Sequence, residues 1–184
     1  MIYNAERVLM NTIIRVQVTS SKGTVFTKER IEDSFKAFDH VIEHFSRFDR
    51  QSELNKLNTG QIKNVSKELF ELIELSLKVA HLTKGAYDPT IIDLLELYGY
   101  DKSNSFKGLK NSKLSDELQK LTLNRPSFKE IVLDAKELEV ILCKDQKLDL
   151  GSLAKGYAVD LAWKELQQYD FDGILINAGG DIRA

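Results

Sequence analysis

The sequence predicts an α+β fold: a largely antiparallel sheet with packed helices. Three observations lead there. Runs rich in β-branched residues stand near both ends of the chain, apolar residues in the interior recur at helical spacing, and strands follow one another as hairpins rather than as regular βαβ units. A doubly wound parallel sheet is the alternative. At 184 residues, 42% hydrophobic and 29% charged, residues 1 to 184 form one compact domain or two small subdomains sharing a core.

Residues 7 to 18 end in strand-like alternation, and Ser20 to Gly23 supplies a turn before Thr24-Val25-Phe26, which reads as an opening hairpin. From Lys28 to about Phe48 the spacing becomes helical, with Ile31, Phe35, Phe38, Ile42 and Phe45 on one stripe. A polar segment, Asp49 to Asn64, precedes a second helix that Ser66 can cap, with Leu69, Leu72, Ile73, Leu77 and Ala80 as its apolar positions and Gly85 placed to end it. Asp88-Pro89-Thr90 makes a turn into a short third helix carrying Ile91, Ile92, Leu94, Leu95 and Tyr98, stopped by Gly99. Residues 101 to 127 read as a polar surface excursion with a small helix around Leu114 to Leu121. Strands are expected at Glu130 to Asp134 and Glu137 to Leu142 around a turn at Ala135-Lys136, and at Lys147 to Leu150. Gly151 then opens a loop into a helix carrying Ala158, Leu161, Ala162 and Leu166, and Gly173 to Ile176 forms a last, buried strand.

Composition excludes several functions. Lysine plus arginine number 26 against 28 aspartates and glutamates, with no run of five like charges, so no nucleic-acid partner is expected. No stretch reaches the ~18 apolar residues of a membrane span, and no signal-peptide pattern opens the chain. As it stands the sequence reads as soluble and cytoplasmic, although trimming an export signal or membrane anchor would leave the same text. Cys143 lies in an apolar run and reads as a small buried hydrophobe.

Four segments carry candidate chemistry. In Asp149 to Asp160 a strand runs into a glycine-bearing turn and a helix, which leaves backbone amides free for an anion, and Lys155 adds a positive charge. Gly151 and Gly156 have the separation of a nucleoside-triphosphatase loop, but the lysine precedes the second glycine and no Ser or Thr follows it. In Gly85 to Thr90, Asp88 either caps a helix or accepts hydrogen bonds from a ribose or base. In Phe45 to Asn58, an aromatic followed by Ser, Asp and Glu serves either as a base-stacking shelf or as core with a polar cap. The paired glycines of Asn177 to Asp181 suit a tight turn or a backbone pressed against a flat ring.

Together the segments resemble the ApbE family of FAD:protein FMN transferases. The family's Met-Gly-Thr appears as Met10-Asn11-Thr12, and its Ser-x-Tyr-x-x-x-Ser-Glu as Ser46 to Glu53 with Phe48 in place of tyrosine. Its Gly-x-Phe-Asp-Pro-Thr appears as Gly85 to Thr90, its Asp-Leu-Gly-x-x-Ala-Lys-Gly-x-x-x-Asp as Asp149 to Asp160, and its Asn-x-Gly-Gly-Asp as Asn177 to Asp181. The resemblance implies a T-fold-like subdomain that binds FAD through Met10, Ala86, Tyr87, Asp88, Asp149 and Lys155, with Phe48 beside the adenine. It also implies Mg²⁺ with the main-chain oxygen of Ser152 as one ligand, and transfer of FMN to a threonine of an acceptor flavoprotein with release of AMP. Family members continue for roughly a hundred residues or more, so the remaining metal ligands and the catalytic half are expected beyond this sequence. A flavin-binding module without turnover and an FAD pyrophosphatase are the alternatives.

Other clusters read as structural. His40 and His44 have the spacing of a zinc pair but fall on the flank away from Ile31, Phe38 and Phe45. Trp163, Tyr157 and Tyr169 read as packing around the last helix, and His81 as buried without a nucleophile partner.

Overall fold

The computed structural model describes residues 1–98, 121–123 and 125–184. In chain order the elements are β1 (Ile2–Leu9), β2 (Thr12–Thr19), α1 (Thr24–Ser34), α2 (Lys36–Phe45), α3 (Glu53–Asn58), α4 (Lys67–Leu82), α5 (Ile92–Leu97), a 3₁₀ turn (Phe128–Glu130), β3 (Val132–Asp134), β4 (Glu139–Ile141), α6 (Gly151–Gln167), β5 (Gly173–Ala178) and β6 (Asp181–Arg183). They fall into two compact units, residues 1–44 with 151–184, and residues 45–150.

The first unit is a four-stranded sheet in the order β1-β2-β5-β6, antiparallel throughout, as the sequence predicts. Alternation along β2 turns Ile14, Val16 and Val18 into the core, and register places Ile14 opposite Ala178 and Val16 opposite Ile176. Helices α1 and α6 pack on the sheet and add Ile31, Ala154, Ala158, Ala162 and Leu166 to the buried set.

Two expectations are corrected here. The opening hairpin turns at Met10-Asn11, both with positive φ (52° and 59°), rather than at Ser20–Gly23. Asn11 supplies one of the two left-handed positions such a tight turn demands, while Met10 gives no turn signal. Thr24-Val25-Phe26 is the first turn of α1, its helical ladder opened by the Thr27 amide donating to Gly23 O at 3.0 Å. The long first helix is also two helices. At Ser34 the buried hydroxyl donates to Ile31 O (2.7 Å), and tighter i→i+3 bonds from Phe35 and Phe38 mark the junction.

In the second unit the core comprises Leu54, Leu57, Leu69, Phe70, Leu72, Ile73, Ile92, Phe128, Val140, Leu148 and Leu150. Helix α4 agrees with its expected limits. The Ser66 hydroxyl accepts from the Leu69 amide, and at the other end Lys84 N donates to His81 O and Gly85 N to Ala80 O, a paired C-terminal closure with Lys84 (φ 53°) and Gly85 (φ 86°) left-handed. Helix α3 was not legible in the polar stretch; Ser52, fully buried, caps it through the Asn55 amide. The β3–β4 hairpin is shorter than expected and closes over 135–138, with Leu138 at φ 50°.

Lys147–Leu150 is extended but is not a strand. Its ladder partner is a side chain: Asn58 accepts from Leu148 N (2.8 Å) and donates to Leu148 O (2.9 Å), while Asp149 N donates to Pro89 O (2.8 Å). Helix α6 starts at Gly151 itself, without the expected loop. His81 is exposed, its ring edge-on to Phe128, and Cys143 is half-buried with its thiol 3.7 Å from a Glu130 oxygen. The helix expected around Leu114 to Leu121, and the stop at Gly99, lie outside the described residues apart from Leu121 itself.

Candidate functional site

In the second unit the three segments expected to hold a nucleotide are tied to one another. Phe48 follows helix α2 on a short loop, which is fixed by the Ser52 hydroxyl donating to Ser46 O (2.6 Å) and by Asn55 Nδ2 donating to Arg47 O (2.7 Å). Glu53, last residue of that motif, accepts from the backbone amide and the hydroxyl of Ser66, so it clamps the start of α4. Ser46, Ser52 and Glu53 therefore shape the loop that carries Phe48.

Asp88 follows α4. Its Oδ1 accepts from the Thr90 amide (2.8 Å) and hydroxyl (2.6 Å), and its Oδ2 pairs with the Arg125 guanidinium, which also donates to Thr90 O at 3.1 Å. Only 11% of the Asp88 side chain is exposed. The Tyr87 hydroxyl is 2.8 Å from that of buried Ser76, and Tyr87 N donates to Thr83 Oγ1 (3.1 Å). Ala86 is exposed. The side chains of Tyr87 and Asp88 thus brace the segment, and what this turn offers a ligand is its main chain around Ala86 and the edge of the tyrosine ring.

Asp149 joins this segment through its amide bond to Pro89 O and joins Phe48 through Arg47. The Arg47 guanidinium lies 4.1 Å from the Phe48 ring centroid, with Nε 2.7 Å from Asp149 Oδ2 and Nη1 3.5 Å from Glu96 Oε1. Neither Arg47 nor Arg125 stands out in the sequence. Arg47 occupies an unassigned position inside a quoted motif, and Arg125 lies in a polar stretch without periodicity.

The first unit holds Met10, Ser152 and Lys155. Met10 forms the β1–β2 turn and is half-buried. At the same end of the sheet lies the Gly179-Gly180 turn between β5 and β6, where the Gly180 amide donates to Asn177 Oδ1 (3.0 Å). Gly179 has φ 64°, and a Cβ there would sit 2.4 Å from Thr12 Oγ1, so both conformation and space demand glycine. Ser152 is exposed in the first turn of α6, and Lys155 Nζ reaches back to Gly151 O at 3.3 Å. The amides that open a helix have no partner within it and carry the positive end of its dipole. Asp160 and Arg183 form a 2.5 Å ion pair, with the guanidinium 4.2 Å over Trp163, which ties α6 to β6.

Ser152, whose carbonyl the resemblance implies as a Mg²⁺ ligand, lies in the first turn of α6, and among the described residues no group of three or more His, Cys, Asp or Glu is placed to hold a metal ion. The described residues do not amount to the near-octahedral oxygen set this cation takes. The rings of His40 and His44 lie against each other, with centroids 4.4 Å apart and planes tilted by 42°.

Comparison with known proteins gives the family. The model of the ApbE family matches residues 10–184, and the chain belongs to that family. The FAD:protein FMN transferase of Haemophilus influenzae is 24% identical over 186 residues, covering 95% of this chain and 52% of that protein. That of Klebsiella pneumoniae is 25% identical, covering 98% and 55%. Among solved structures, the ApbE protein of Thermotoga maritima superposes over the full chain and 58% of its own, with TM-score 0.85 and 29% identity. The flavin transferase ApbE of Vibrio cholerae gives TM-score 0.83 over 59% of its length at 18% identity, a likeness of fold. The chain spans about half the length of the curated relatives it matches.

Proposed function

We propose that the chain is the FAD-binding part of a FAD:protein FMN transferase. The observation that carries this reading, beside family membership, is the second unit's single connected cluster: an aromatic face at Phe48, a braced turn at Ala86–Asp88, and the carboxylate of Asp149. Within the second unit the aromatic face suits a purine, and exposed main chain and a carboxylate suit ribose hydroxyls; within the first unit, taken by itself, the start of α6 with Lys155 suits a phosphate group.

In this reading FAD is the substrate. A threonine hydroxyl of the acceptor flavoprotein attacks the FMN phosphorus, the bond to the bridging oxygen breaks, AMP leaves with that oxygen, and the hydroxyl proton passes to solvent. Lys155 and the first amides of α6 stabilise charge on the phosphates. Mg²⁺ belongs to the reading through the family alone.

The test is product analysis with FAD, Mg²⁺ and an acceptor flavoprotein. Flavin bound covalently to a threonine together with AMP supports transfer. AMP without acceptor modification would mean an FAD pyrophosphatase, and FAD retained intact would mean the binding module.

A further inference from the structure

Arg47 meets Asp149, Glu96 and Phe48. Its side chain is 6% exposed, yet it faces two carboxylates, those of Asp149 (16% exposed) and Glu96 (47% exposed), and lies flat enough on Phe48 to bring Cζ within 4.1 Å of the ring centroid. The guanidinium places its charge against both carboxylates through different nitrogens, Nε toward Asp149 and Nη1 toward Glu96, while its central carbon lies over the ring. Two consequences follow. One face of Phe48 is occupied, so a base can stack only on the other. The Asp149 carboxylate is paired with a cation that is itself nearly inaccessible to solvent.

We infer that Arg47 is a positioning residue of the nucleotide site, holding the Phe48 ring and the Asp149 carboxylate in the arrangement that receives the adenosine half of FAD. The inference rests on the FAD-binding reading above. Without Arg47 the Phe48 ring loses the cation held against it and the mostly buried Asp149 carboxylate loses an ion-pair partner, a loss that a purely packing role would not produce.

The test is equilibrium dialysis against FAD, and separately against FMN, for the natural chain, Arg47→Met, Arg47→Lys, Asp149→Asn and the double variant R47M/D149N, with thermal melting as the check of folding. Arg47→Met is expected to weaken FAD about tenfold while FMN, which lacks the adenosine half, changes less than about twofold. Because Arg47 acts through Asp149, the double variant is expected to bind FAD no more weakly than the weaker single variant. Arg47→Lys keeps the charge without the flat face and is expected to recover part of the loss; if Arg47→Met fails to fold, Arg47→Lys is judged alone by a loss for FAD without one for FMN. Unchanged FAD affinity in Arg47→Met, equal losses for FAD and FMN, or losses that multiply in the double variant would each overturn the role of Arg47. Failure of the natural chain to retain FAD would overturn the binding reading and this inference with it.

Discussion

At the scale of single residues, several motif positions turn out to hold the chain in place. Asp88 has both oxygens engaged, by Thr90 and by Arg125, at 11% side-chain exposure. Asp88→Ala is therefore expected to cost about 2–4 kcal/mol of stability, since it strands Arg125 and frees the turn, and thermal or denaturant unfolding reads this directly. Gly179 and Gly180 separate two causes of glycine's necessity. Both have positive φ, but only at Gly179 would a Cβ come within 2.4 Å of Thr12 Oγ1, whereas Gly180 faces open space. Gly180→Ala is expected to cost about 1 kcal/mol from the backbone alone, and Gly179→Ala about 2–3 kcal/mol, the difference appearing in their unfolding midpoints. At Cys143, burial and then the Glu130 carboxylate push the thiol pKa up. The thiolate therefore forms at higher pH than in a free peptide, and alkylation by iodoacetamide at neutral pH is expected to be slower than for a cysteine peptide.

At the scale of elements, burial was legible in the sequence and hydrogen-bond partnership was not. The stripe Leu69, Leu72, Ile73, Leu77, Ala80 is buried in α4 as its spacing predicts. Leu148 and Leu150 are also buried, but their segment pairs with the Asn58 side chain from 90 residues away, and no local pattern encodes such a partner. The first hairpin escaped because Met10 adopts a positive φ without being a turn residue, and α3 because six residues are too few to display a helical period. Of the candidate site, the motif order was legible, while Arg47 and Arg125 became visible only when folding brought their carboxylates to them. Lys84 makes an element-level prediction. It stands at the left-handed position that closes α4, where a side chain is strained, so Lys84→Gly is expected to stabilise the unit by about 0.5–1 kcal/mol, measured as a raised denaturation midpoint.

At the scale of the whole molecule, the chain has the ApbE fold over its full length and matches about half the length of its curated relatives. Among the described residues no helix is long and apolar enough to cross a membrane. The central claim is that this length of chain suffices to bind FAD. Equilibrium dialysis of the purified protein against FAD, with Mg²⁺ and with EDTA, tests it most directly through the visible absorbance of the retained flavin. Retention approaching one FAD per chain is expected in the presence of Mg²⁺. Absence of retained flavin in both buffers would contradict that claim.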